Sequence, residues 1–144
     1  MAGIEAAFGG FDPGHVAMIE AERLEALFAD PGMIRSGAKI VATRDNAVFM
    51  QAVTRESGSF GRRIADWPDE GFAGLLGWLG REGSRQGGTT GQYMLRQMGK
   101  DSYSLSRDVV ARLQEEGVIS GAPGSARAMA AVQAAFNRWR AESG

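Results

Sequence analysis

The residues best suited to chemistry form a run of small and hydroxyl-bearing types, Gly87-Gly88-Thr89-Thr90-Gly91, directly before the helical pattern QYMLRQM. A glycine-rich turn that opens a helix presents backbone N–H groups, which bind anions such as phosphate. The lysine and hydroxyl residue of a P-loop are missing after the last glycine, and no predicted strand precedes the turn. Helix, turn and helix over about residues 84–100 therefore indicate a helix-hairpin-helix that holds a DNA phosphate. A plain corner between two helices is the alternative.

Thiol chemistry and metal sites built from cysteine or several histidines are excluded by the composition. The chain has no cysteine, and its single histidine is His15. Thiolate zinc sites, disulfides and multi-histidine centres all need more of these residues than the chain contains. We therefore expect no metal and no cofactor, and we expect His15 to be a surface or packing residue.

Apolar residues recur at helical spacing along almost the whole chain, and no segment alternates with the period of a strand. The pattern predicts an all-α fold in one compact domain over residues 1–144. A long helix is expected over about residues 38–57 and should end at Gly58. Two faces are predicted to be buried, and their members are Ile40, Val41, Val48, Phe49 and Ala52 in the long helix, and Leu24, Leu27 and Phe28 in the helix before it.

The charge balance gives no global attraction to nucleic acid. Sixteen Lys and Arg face seventeen Asp and Glu, for a formal net charge of −1. Residues 81–107 nevertheless hold five cationic side chains against two anionic ones, so a local basic face or an ordinary solvated helix face is expected there. No apolar run is long enough for a membrane span, and the chain starts without the basic region of a secretory signal, so we expect a cytoplasmic protein.

Several of these motifs together resemble the 3-methyladenine DNA glycosylase I family of the helix-hairpin-helix glycosylase superfamily. The matching stretches are GFDP at residues 10–13, LFADPGMIRSGAKIVATRDNA at 27–47 and GGTTGQY at 87–93. The last stretch is similar to the family's hairpin at Gly88, Thr90 and Tyr93. The resemblance implies removal of an alkylated base, such as 3-methyladenine, from duplex DNA by hydrolysis of the N-glycosidic bond.

The resemblance also implies roles for individual residues. Backbone groups of Gly88, Thr89, Thr90 and Gly91 would contact phosphate, and Lys100 and Arg107 would add positive charge. Arg35 and Lys39 match the family pattern I-R-x-x-x-K-I, where bracing between helices by ion pairs is one possible role. Ser106 falls where the superfamily has a catalytic aspartate, and Asp108 follows two residues later. A serine cannot supply the aspartate's charge, so the catalytic residue is left open.

The same resemblance implies a further N-terminal region with the base pocket and zinc ligands, and this sequence begins after its counterpart. The alternative function is therefore a truncated or repurposed helical domain that binds DNA or protein without catalysis. A homodimer that covers apolar faces bared by such a truncation is a further expectation.

Overall fold

The structure, a computed structural model, describes residues 2–143. Within that range it contains α-helices and two short 3-10 helices, Gly9–Phe11 and Asp69–Gly71, and no strand. The α-helices are α1 (Ala2–Ala7), α2 (Pro13–Ala17), α3 (Ala21–Ala29), α4 (Gly37–Ser57), α5 (Phe60–Ala65), α6 (Phe72–Glu82), α7 (Thr89–Gln97), α8 (Arg107–Glu115) and α9 (Ala126–Ser143). The predicted all-α fold is confirmed.

Helix boundaries follow local capping chemistry. The Asp12 carboxylate accepts a hydrogen bond from the His15 N–H at 2.7 Å, and Pro13 occupies the first position of α2. Gly58 ends α4 in the left-handed conformation, with φ 79°, and its N–H donates to the Thr54 carbonyl. The long helix therefore lies within one residue of its predicted start and stops where the glycine permits the chain to reverse.

The chain divides into two compact units. The first comprises Met1–Arg63 and Glu82–Arg85. Its core is formed around α2, α3 and α4, by Phe8, Val16, Ile19, Leu24, Leu27, Met33, Ile40 and Ala47. Asn46 of α4 also holds Ser84 by two hydrogen bonds, because its Oδ1 accepts from the Ser84 N–H at 2.8 Å and its Nδ2 donates to the Ser84 carbonyl at 2.9 Å.

The single buried stripe predicted for α4 is wrong. Val41, Val48 and Ala52 are exposed, whereas Ile40, Ala42, Ala47 and Val53 are buried. At about 100° per residue, Ile40 and Ala47 share one side of the helix, and Ala42 and Val53 lie about 200° away. Two sides of α4 are thus buried, mostly through small side chains, and the exposed Val41 and Val48 lie on the flank between these sides. Phe28 is likewise 49% exposed, although its α3 neighbours Leu24 and Leu27 are buried.

The second unit comprises Ile64–Arg81 and Gln86–Gly144. Tyr103 lies at its centre, with ring centroids 4.8 Å from Phe72 of α6 and 4.4 Å from Phe136 of α9. Its hydroxyl donates to Gln133 Oε1 at 3.2 Å, and the Ala73 N–H donates to the same oxygen at 2.7 Å. Burial raises the pKa of Tyr103 to about 12. This residue therefore stays a neutral hydrogen-bond donor that joins α6 to α9.

Candidate nucleic-acid interface

Gly88 shapes the start of α7. It is the N-cap residue, with φ 60° and ψ −135°, a backbone conformation open essentially to glycine alone. No side chain caps the helix at this position. Gly87, Gly88, Thr89 and Thr90 are all exposed. The exposed Thr89 and Thr90 thus lie at the positive end of the helix dipole, where an anion is stabilised.

Gly91 permits the turn to close. A Cβ atom at this position would lie 2.6 Å from the Gln86 carbonyl oxygen and 3.4 Å from Leu76 Cδ2. The first distance is too short for any side chain, and the obstacle is backbone rather than the flexible end of a side chain. The last glycine of the motif is consequently buried and required for packing, whereas Gly87, Gly88 and the two threonines are accessible.

Lys100 is held inside its own unit. Its Nζ contacts Asp69 Oδ1 at 2.8 Å, donates to the Ala65 carbonyl at 3.3 Å and also donates to the Trp67 carbonyl. Its side chain is only 7% exposed, against 39% for Asp69. The hydrogen bond from Lys100 lowers the pKa of Asp69; burial opposes that effect, and the charges of Lys100 and Arg140 reinforce it. Lys100 thereby stabilises the carbonyl end of α5, where a cation is favourable.

Arginines supply the accessible charge of the second unit. Arg81, Arg96 and Arg107 are exposed, and none of them forms an ion pair in the part of the chain that the structure describes. Tyr93, which the family resemblance also singles out, is 57% exposed on α7. These side chains are free to meet a ligand from solvent, in contrast to Lys100.

Ser106 has a structural task. It is the N-cap of α8, and its Oγ accepts a hydrogen bond from the Val109 N–H at 3.3 Å. Asp108 is exposed in the first turn of α8, where its charge favours the helix dipole. The serine that the resemblance places at the superfamily's aspartate position therefore caps a helix in this chain.

Arg35 and Lys39 lie in the first unit, just before α4 and in its first turn. Both are exposed, and neither forms an ion pair within residues 2–143. The ion-pair bracing considered from the sequence has no partner among the described residues. Their charges are available to solvent.

Gln92 is a polar residue that sequence reasoning missed. It is only 6% exposed, and its Oε1 accepts a hydrogen bond from the Leu105 N–H at 2.7 Å. This bond joins α7 to the segment before α8. A polar glutamine in a helix is ordinarily expected to face solvent. The only feature of the sequence that could have indicated the burial of Gln92 is its position directly after the glycine-rich turn.

Among residues 2–143, no group of three or more His, Asp or Glu side chains is arranged to hold a metal ion. None of the helices described is both long and apolar enough to cross a membrane.

Comparison with known proteins connects the first part of the chain to a family. No solved structure matches the chain. The glycine-rich turn lies beyond the family match, which ends at residue 71. Residues 2–71 match the family model described as methyladenine glycosylase, which confirms the resemblance predicted from the sequence for this part of the chain and supports a DNA glycosylase-like role.

Proposed function

We propose that this protein acts in base-excision repair, as a DNA glycosylase-like protein for alkylated bases such as 3-methyladenine. The observation that carries the proposal is the family match over residues 2–71. In this proposal the protein binds duplex DNA through the phosphate backbone, and the N-glycosidic bond of a flipped base is hydrolysed.

Phosphate binding is assigned to the start of α7. The N–H groups of Thr89 and Thr90 belong to the uncapped first turn, and the positive φ of Gly88 leaves the approach to them free of a side chain, whereas the buried Gly91 is left out of direct contact. Arg107 is exposed and adds charge from α8. Lys100 is left out of direct contact, because its ammonium already has Asp69 and two carbonyl groups as partners.

The proposed reaction needs little help from general acid or base groups of the protein. A 3-alkylated adenine carries positive charge, so it departs readily as a neutral base. Ser106 is a helix cap and supplies no charge to the developing sugar cation. Binding and orientation of the nucleotide are therefore the main contributions assigned to these residues.

Placing a negative charge at the turn should weaken DNA binding. Gly87 is exposed, and a Cβ atom there meets nothing within 4 Å. We expect Gly87→Glu to reduce affinity for a duplex about tenfold at low salt, since a carboxylate beside the phosphate repels it. Fluorescence anisotropy with a labelled duplex measures this change.

The matched control is Gly87→Gln, which adds the same bulk without charge and should change affinity less than about twofold. Raising the salt concentration should narrow the gap between the two variants, because screening weakens the repulsion. Equal duplex affinity of Gly87→Glu and Gly87→Gln at low salt would show that the turn is not part of the DNA interface.

An assay of base excision distinguishes a DNA glycosylase from a protein that only binds DNA. We expect release of 3-methyladenine from alkylated duplex DNA above the spontaneous rate, with Gly87→Glu reducing release about tenfold when DNA is subsaturating, in parallel with affinity. Chromatography of the released base measures it. Duplex binding with release at only the spontaneous rate would favour the non-catalytic alternative, for which the capping role of Ser106 is the supporting observation.

A further inference from the structure

An apolar face lies along α4 in the first unit. Val41, Val48 and Ala52 are exposed, and the last two each lie within about 20° of Val41 around the helix axis. The ring of Phe28 extends this face to the start of α4, since a Cβ atom at Gly37 would lie 3.5 Å from its Cε1 atom. These four side chains form the valine face, in which Phe28 and the two valines are 36–49% exposed. Single exposed apolar residues are ordinary, whereas a continuous apolar face indicates a contact surface.

Opposite charges line the two edges of the valine face. Arg44 and Arg55 lie about 60° and 40° to one side of Val41 around the helix axis. Asp45 and Glu56 lie about 40° and 60° to its other side. None of these four charged residues forms an ion pair within residues 2–143. A partner that carries one sign of charge, such as nucleic acid, would be attracted at one edge and repelled at the other.

Arg44 gives an independent indication of a partner. Its side chain is half-buried, and its Nε atom is buried without a hydrogen-bond partner among the described residues. A partly buried charge without a counter-ion is unfavourable, because water solvates it only in part and no carboxylate of its own chain compensates. A carboxylate that a second molecule brings to this edge of α4 would stabilise the guanidinium group.

We propose that the valine face pairs with the same face of a second copy of this chain, about a twofold axis parallel to the two α4 helices. Such an axis places the basic edge of each helix against the acidic edge of the other at the same height. Arg44 then faces Asp45 of the partner subunit, and the apolar side chains meet between the two rows of charge. An antiparallel pair would instead bring edges of like charge together. The inference is independent of the proposed function, since it involves neither DNA nor the glycine-rich turn.

The first experiment measures the mass of the protein in solution by sedimentation equilibrium. At about 100 µM, where an interface of micromolar affinity is occupied, we expect twice the 15.3 kDa of one chain. Val48→Glu and Ala52→Glu should each raise the dissociation constant of the dimer at least about tenfold, because each places two carboxylates close to the axis. Lys39→Glu is the control, since Lys39 is exposed on α4 about 160° from Val41, and it should leave the dimer unchanged.

Thermal unfolding followed by circular dichroism shows whether each variant is folded. A monomer at about 100 µM wild-type protein would overturn the inference, since even a micromolar interface is occupied there. A dimer that the folded Val48→Glu and Ala52→Glu variants keep with unchanged affinity would place the interface elsewhere and would also overturn it. A monomeric protein that still binds duplex DNA removes this inference alone.

Charge-exchange variants test the two edges. Asp45→Arg places an arginine against Arg44 of the partner subunit, and Arg44→Asp places two aspartates together. Each variant alone should dimerise at least about tenfold more weakly than wild type, because like charges meet. An equimolar mixture of the two should recover an affinity close to that of wild type, because the heterodimer contains only opposite pairs. Two folded variants that do not recover dimerisation on mixing would contradict the proposed arrangement.

Single cysteines test the orientation of the pair, because the chain has no cysteine of its own. Under the proposed symmetry, position 41 faces position 41 of the second copy, and position 48 likewise faces its own counterpart. Val41→Cys and Val48→Cys should therefore each form a disulfide-linked dimer on mild oxidation, which non-reducing gel electrophoresis measures. Lys39→Cys, on the other exposed side of α4, should stay unlinked. Linkage only in a mixture of Val41→Cys and Val48→Cys would indicate an antiparallel pair and would overturn the inference.

Discussion

Gly91→Ala is expected to destabilise the protein by about 2–3 kcal/mol and to lower its unfolding temperature by about 5–10 °C. The new methyl group would lie 2.6 Å from the Gln86 carbonyl oxygen, so either the turn or the start of α7 must move. Alanine favours a helix by about 1 kcal/mol over glycine, which offsets part of this cost. Urea unfolding followed by tryptophan fluorescence gives the change in free energy.

The control for this substitution lies in the same turn. Gly87→Ala adds an identical methyl group where nothing lies within 4 Å, so its effect should stay within about 0.5 kcal/mol. Comparable stability of Gly91→Ala and Gly87→Ala would mean that the turn is not closed as the structure has it.

Lys100→Met should cost about 2–3 kcal/mol at neutral pH. The substitution keeps an unbranched apolar stem but removes the donor to the Ala65 and Trp67 carbonyls and leaves Asp69 without its 2.8 Å partner. Loss of one member of a buried ion pair costs about 3–5 kcal/mol, and the 39% exposure of Asp69 lowers that figure because water can solvate the carboxylate. Chemical unfolding at pH 7 measures the loss.

The pH dependence of this effect has a definite sign. The folded-state pKa of Asp69 is lowered by Lys100, so the pair stabilises the protein above the unfolded pKa, about 3.9, and the contribution disappears as the pH falls through the folded pKa. The difference between wild type and Lys100→Met should therefore be smaller at low pH than at pH 7.

Lys39 provides a matched control, since it is the chain's other lysine, is exposed and has no ion pair within residues 2–143. Lys39→Met should change stability by less than about 0.5 kcal/mol at any pH. A loss in Lys100→Met that is the same at pH 3 and pH 7 would show that the Asp69 pair carries none of it.

Local signals predicted the helices well because caps and stops act over a few residues. Asp12 with Pro13 and the glycine at position 58 set their helix ends through neighbours in sequence. The exposed valines of α4 were mispredicted for a different reason. Helical periodicity identifies a single apolar side, whereas Ile40 and Ala42 of this helix are buried on opposite sides.

The candidate site was predictable only in part, for a similar reason. The glycines at positions 87, 88 and 91 indicate a turn by their residue type alone, because they lack a Cβ atom, so the turn could be predicted from the sequence. Lys100 and Gln92 depend on partners elsewhere in the chain: the lysine contacts residues more than 30 positions earlier, and the glutamine accepts a bond from the segment before α8. Composition and spacing do not distinguish a lysine that is buried against distant partners from one that is exposed to solvent.

The two hydrogen bonds between Asn46 and Ser84 have a consequence for recombination between related sequences. Ser84 belongs to the first unit, although α6 separates its segment from the rest of that unit along the chain. A single crossover near residue 71, where the family match ends, would therefore inherit Asn46 from one parent and the segment around Ser84 from the other. Both hydrogen bonds of Asn46 go to backbone groups of Ser84. A chimera must therefore preserve the backbone path around Ser84, but it can change the side chains of that segment. Three crossovers, one after residue 63 and one on either side of residues 82–85, are required to transfer the first unit intact.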